Sequence, residues 1–262
     1  MALIAALSIG ACSRPGGSGE TSNVATGAGT SVLPTVESAA RKGDTVVVTG
    51  RSDPEAIVRI SSPEGQSWGA TATPEGQWSF ILPLGSSPRM FALTAEKSAR
   101  PLRAESAIVI LPAPALTLVL ARAGYGAQSV DKPIATPVIV ALDYDQGGGA
   151  MVSGLARAGS TVRLLVDDAP TGDSRADALG RFVVASTGKP LTEGEHRLRI
   201  ETVDGPAVVD AVVSRPERDP AKVYVARHEG VGWRLDWRTA GGGVQSTLVL
   251  DSAAQALEGN KR

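Results

Sequence analysis

Cysteine is almost missing from this chain: Cys12 is the one thiol in 262 residues. A lone thiol makes no internal disulfide and no multi-cysteine zinc site. Aromatic residues are scarce at 4%, which leaves little material for a base-stacking surface. Neither charge sign prevails, with 26 Lys and Arg against 27 Asp and Glu. That balance removes any bulk attraction to nucleic acid or anionic lipid. Sustained helical periodicity is also absent. What is plentiful is glycine (30) and proline (17), together with apolar runs dominated by Val, Ile, Thr and Leu. Many turns and short strands follow from that composition.

The N-terminus reads as a processed signal. Ala2 to Gly10 form an apolar run too short to span a bilayer but suited to the apolar core of a signal peptide. It ends at Ile9-Gly10-Ala11-Cys12, which resembles the bacterial lipobox. The resemblance implies cleavage before Cys12 and acylation there, and several acyl chains on one residue give stable anchoring. No Lys or Arg precedes the apolar run, a departure from the usual signal pattern. Ser13 follows the cysteine, and by analogy with Gram-negative lipoproteins it points to the outer membrane, facing the periplasm or the surface. Residues 12–31, rich in Gly, Ser, Thr and Ala, read as a flexible tether.

An internal repeat organises the rest. Val48-Thr49-Gly50 matches Val152-Ser153-Gly154, and Val58-Arg59-Ile60 matches Val162-Arg163-Leu164. Gly76-Gln77-Trp78-Ser79-Phe80 matches Gly180-Arg181-Phe182-Val183-Val184, and Pro112 matches Pro216. Every pair stands 104 positions apart, as Gly154 does from Gly50. Each unit breaks into roughly seven short alternating runs separated by turns, the pattern of a β-sandwich. In the first, Trp78, Phe80 and Leu82 fall on one face.

The blocks resemble bacterial Ig-like domains. The resemblance rests on the glycine after a β-branched strand (Gly50, Gly154), the strand at Val58 or Val162, and the motif Gly-x-aromatic-x-hydrophobic. It implies that Trp78 and Phe182 sit in sandwich cores and that Gly76 and Gly180 make tight turns. The expected fold is all-β: two tandem immunoglobulin-like sandwiches plus a C-terminal hairpin. The expected division is a signal peptide (1–11), tether (12–31), first Ig-like domain (32–112), linker or edge strand (113–136), second Ig-like domain (137–216), hairpin (217–251) and tail (252–262).

In the hairpin, Trp233, Leu235 and Trp237 share one face, with Arg234, Asp236 and Arg238 on the other. The Trp face has two readings: the core side of an amphipathic hairpin, or, with Arg234 and Arg238, a binding platform for sugars or a partner. Other chemistry is thin. His196 and His228 form no local motif. Gly65-Gln66-Ser67-Trp68-Gly69 has nucleophile-elbow spacing but leads into a strand, without the helix that motif needs. Acidic residues gather in the second unit, from Asp143 to Asp177, without the spacing of a calcium loop. The sequence therefore points to a non-catalytic envelope lipoprotein with no cofactor or metal. It would be held to the membrane through Cys12 and bind an envelope protein, not nucleic acid. Carbohydrate or cell-wall binding through the Trp hairpin is the alternative.

Overall fold

A computed structural model of the chain describes residues 31–113, 116–130 and 137–253. Cys12 and the tether before Ser31 lie outside the described residues. Two immunoglobulin-like β-sandwiches follow one another, and all their strand pairs are antiparallel.

The first is built from β1 (Thr35–Lys42), β2 (Thr45–Arg51), β3 (Ile57–Ser61), β4 (Ser67–Thr71), β5 (Gln77–Pro83), β6 (Arg89–Lys97), β7 (Arg100–Arg103) and β8 (Ala107–Ile110). One sheet has the order β1-β2-β5, and the other runs β8-β6-β3-β4 with β7 paired to the far half of β6. Alternation sets the faces: Trp78, Phe80 and Leu82 point inward from β5, while Gln77, Ser79 and Ile81 point out. The inward set meets Val46, Val48, Val58, Ile60, Phe91 and Leu93 in one core.

The second sandwich repeats this plan. Its strands are β11 (Val138–Asp145), β12 (Ala150–Leu155), β13 (Thr161–Val166), β14 (Ala169–Arg175), β15 (Arg181–Ser186), β16 (Gly194–Thr202) and β17 (Gly205–Val213). Here β15-β12-β11 faces β14-β13-β16-β17. Even irregularities recur: β1 is bulged between Val36 and Ser38, and β11 between Ile139 and Ala141.

The shared glycines have a steric cause. Gly50 lies opposite Trp78 in register, and Gly154 opposite Phe182. A Cβ on Gly50 would sit 2.3 Å from Trp78 Cζ2, and one on Gly154 2.5 Å from Phe182 Cζ. Each core aromatic thus lies against bare backbone of the next strand. Gly76 and Gly180 have φ of 81° and 73°, a left-handed turn conformation that costs glycine little.

The spacer carries two strands of its own, β9 (Leu118–Ala121) and β10 (Gln128–Ser129), which extend the larger sheet of the first sandwich beyond β8. The C-terminal segment forms three strands rather than a hairpin alone: β18 (Tyr224–Glu229), β19 (Gly232–Arg238) and β20 (Val244–Leu250). β20 pairs with β11, so the sheet of the second sandwich grows to six strands, β15-β12-β11-β20-β19-β18. Pairing with β11 solves the instability of an isolated hairpin.

The enlarged sheet is buried on both faces. Ile139, Leu142, Leu248 and Leu250 enter the core of the second sandwich. From the opposite face, Val140, Ala141, Leu235, Trp237 and Val249 pack with Met90, Val109, Leu111, Val119 and Ala127. This third core joins strands of the first sandwich, the spacer and the C-terminal strands. Gly126, at φ 76°, fits so closely that a Cβ there would lie 2.9 Å from Val183 Cγ1. The described residues from Val32 to Ala253 form one compact body.

Candidate functional site

Of the two readings of the tryptophan face, burial favours the core side of the hairpin over a ligand platform. Trp237 is 7% exposed, belongs to the third core, and donates its indole N–H to Thr247 Oγ1 at 3.0 Å. Trp233 is half-buried at the edge of the same core and packs edge-on against His228 at 5.2 Å. An exposed, coplanar pair of rings is therefore not formed. The cause is the pairing of β20 with β11, which turns this face of the hairpin onto the spacer strands.

Arg234 is equally far from a surface role, being fully buried. Its guanidinium grips Asp236 through two hydrogen bonds, Nε to Oδ1 at 2.8 Å and Nη2 to Oδ2 at 3.0 Å. It also donates to the Ser214 hydroxyl and to the Arg215 carbonyl, and lies 5.6 Å from the Tyr144 ring centre. Asp236 accepts further from Ser246, Arg227 and the Glu217 N–H. A buried charge survives when it is paired and its remaining hydrogen bonds are met. The cluster fixes the 214–217 segment beneath β19. Arg238 is exposed, but its guanidinium holds the Pro220 and Lys222 carbonyls at 3.1 and 2.9 Å. Three of the four residues chosen as a binding surface thus serve the interior or the path of the chain, and Trp233 is partly covered.

Asp143 is a buried group that sequence reasoning placed only among turn carboxylates. It is 3% exposed. Its Oδ2 accepts the Ala127 N–H at 2.6 Å, and its Oδ1 accepts from Gln245 Nε2 at 2.9 Å and from the Thr247 hydroxyl. The Gln245 amide oxygen in turn accepts the Gly124 N–H at 3.1 Å. Asp143 and Gln245 therefore latch the spacer to the six-stranded sheet. Burial pushes the Asp143 carboxyl up to about 6, against the pull of the three hydrogen bonds it accepts.

The remaining polar residues do local work. His196 has Nδ1 at 2.7 Å from Asp167 Oδ2 and Nε2 at 2.8 Å from the Thr192 carbonyl. The bond from His196, and then the Arg197 N–H, hold the Asp167 carboxyl below its usual range. His228 lies 2.7 Å from Asp251. Ser67 opens β4 and shares a hydrogen bond with Ser61 across to β3. Asp145 accepts the Gly147 and Gly149 N–H groups, and Asp177 those of Leu179 and Arg181. These are turn-closing roles. Among the described residues, no group of three or more His, Cys, Asp or Glu gathers to hold a metal, and no helix is long and apolar enough to cross a membrane.

No family model matches the chain, and no curated protein matches it. Several solved structures are similar to it. One is the BSP domain of a biofilm-associated protein, at 16% identity and a TM-score of 0.25, covering 71% of this chain and 30% of that one. Another is the central fibronectin-III array of RIM-binding protein, at 11% identity and a TM-score of 0.26, covering 84% and 87%. A third concerns host cell surface retention of a 1.5-MDa bacterial ice-binding adhesin, at 17% identity and a TM-score of 0.22, covering 68% and 61%. Likenesses at this level carry nothing about activity or partners. The assignment of the sandwiches rests on the strand order described above.

Proposed function

We propose that the chain is a non-catalytic envelope lipoprotein whose two sandwiches form a rigid support for a protein partner. The observation that carries this reading is the third core. Spacer and C-terminal strands, the parts free to build a ligand site, are instead used to weld the two sandwiches together. His196 and His228 are each engaged with a carboxylate, Asp167 and Asp251, at 2.7 Å. Several strands, among them β17 and β18, lie at the ends of their sheets and pair on one side only. Such edges suit partners that add a strand. Acylation at Cys12 anchors the body to the outer membrane, in the periplasm or at the surface.

The test is proximity crosslinking in native cells, with membrane fractionation and mass spectrometry, on the wild type and on Cys12→Ala. The expected result is a membrane-bound wild type with a reproducible protein neighbour, both lost in the variant. Unchanged location and neighbours in Cys12→Ala would remove the anchor.

A further inference from the structure

We infer that the open edge of β17 takes an extended segment of a partner protein as an added strand, one that alternates β-branched residues and sets a basic side chain against Asp210. This rests on the reading of the body as a support for a protein partner, and it names the edge and the chemistry.

β17 is the last strand of the sheet β14-β13-β16-β17. At nine residues it is the longest described strand that ends a sheet, and its register with β16 is unbroken. The pairings of β1 and β14 are interrupted by register shifts, and β4, β7 and β10 have five residues or fewer. A bulge or a lysine commonly blunts a free edge. β17 has neither, reading Gly-Pro-Ala-Val-Val-Asp-Ala-Val-Val.

Arg197 shows which main-chain groups of β17 are free. Its C=O accepts the Asp167 N–H and its N–H donates to Asp167 Oδ1, both at 2.9 Å. Both groups thus turn toward β13, and Arg197 stands opposite Asp210 without a main-chain bond to it. By alternation the N–H and C=O of Val208, Asp210 and Val212 point out of the open edge. Pro206 falls in the same set, where β16 asks for no N–H. Among the described residues no other backbone group bonds these three residues from outside the sheet.

Both faces of β17 are incompletely covered. On the outer face Val208 and Val212 are 48% and 54% exposed. On the inner face Ala207 and Val209 enter the core of the second sandwich only in part. An added strand would cover all four while pairing the free main chain.

Charge and shape select the occupant. A groove of about 540 Å³ beside the outer face sets Asp167, Asp168, Glu195 and Asp210 against Arg197 and His196. A lysine or arginine opposite Asp210 meets this acidic excess, whereas an acid there meets like charge. A second copy of this chain does not fit. Antiparallel pairing of β17 with itself would turn the same faces of both copies to the same side. The facing sheet runs on past β11, which lies against β17, through β20, β19 and β18. The extensions of two copies would then collide.

The probe is the end-blocked peptide Thr-Val-Thr-Lys-Thr-Val-Thr, added to the full chain at millimolar concentration, with amide hydrogen exchange read residue by residue. In the free chain Val208, Asp210 and Val212 should exchange at least about tenfold faster than Ala207, Val209 and Ala211. The peptide should slow the first three. With Glu in place of Lys it should bind roughly fivefold more weakly, and Asp210→Lys should reverse that preference. Val208→Pro removes one outward N–H without touching a bond to β16, and should weaken binding by a similar factor; circular dichroism checks that each variant folds. No slowing at Val208, Asp210 and Val212, or equal binding of the Lys and Glu peptides, overturns the proposal. So does slowing that appears with chain concentration alone, the mark of pairing between copies. In native cells Val208→Pro separates this inference from the broader reading. A crosslinked neighbour lost while location is kept supports the edge, whereas a neighbour retained overturns the edge and leaves the support reading standing.

Discussion

Asp143 gives the chain a pH dependence opposite to that of most carboxylates. Its carboxyl is raised from an ordinary 3.8 to about 6, chiefly by burial. Between those values the folded chain holds a proton that the unfolded chain has released. The folded state then binds more protons, so this residue's contribution grows as pH falls from above 6 toward 4 and is lost as pH rises. A rise of that size corresponds to about 3 kcal/mol, an upper figure because water penetration reduces it. Asp167 and Asp210, whose carboxyls are held low, act in the reverse sense. The effect of Asp143 is therefore isolated by comparison with Asp143→Asn. The variant aims an amide at groups that donate to the carboxylate, a nearly pH-independent cost of about 1–3 kcal/mol. Denaturant unfolding of both chains at about pH 7.5 and about pH 4 measures the difference. Wild type should gain up to about 2 kcal/mol over Asp143→Asn between them. A difference that stays flat across that range would refute the buried carboxylate and the latch built on it.

Two other perturbations follow from named contacts. Gly50→Ala and Gly154→Ala should each destabilise by about 3 kcal/mol, at the upper end of overpacking, since the new Cβ meets Thr35 O or Val138 O as well as an aromatic ring. Thermal unfolding checks this, and a neutral result at both sites would show that the rings are not pressed on the backbone. Arg234→Met should cost about 3–5 kcal/mol by leaving Asp236 buried without its main partner. Asp236→Asn in the same chain should recover part of the loss, and a double-mutant cycle with no coupling would contradict the pairing.

Much of the fold was legible where a strand buries one face only, as most strands of the first sandwich do. Alternation then marks the core directly, as at Trp78, Phe80 and Leu82. The repeat supplied a second check, and Gly50 and Gly154 proved to be the seats of the aromatics that define it. The candidate site was misread where burial was not local. Trp233, Leu235 and Trp237 look the same in sequence whether they face solvent or a second layer. Only the pairing of β20 with β11, about 100 residues apart, decides it. Asp143 escaped for a related reason. Its strand, Val-Ile-Val-Ala-Leu-Asp-Tyr-Asp, is buried on both sides, so its acid reads as a strand end instead of an interior group. The partners that satisfy it come from the spacer and from β20, neither adjacent in sequence.

The central claim is that two sandwiches, the spacer and the C-terminal strands form one rigid body through the third core. Equilibrium unfolding followed by two probes tests it most directly: fluorescence of Trp78, isolated in a chain carrying Trp68→Phe, Trp233→Phe and Trp237→Phe, and far-ultraviolet circular dichroism of the whole chain. Coincident single transitions, shifted together by Asp143→Asn, are the predicted result. Two separate transitions, with Trp78 reporting one that is indifferent to Asp143→Asn, would mean that the sandwiches are independent domains and the shared core does not couple them.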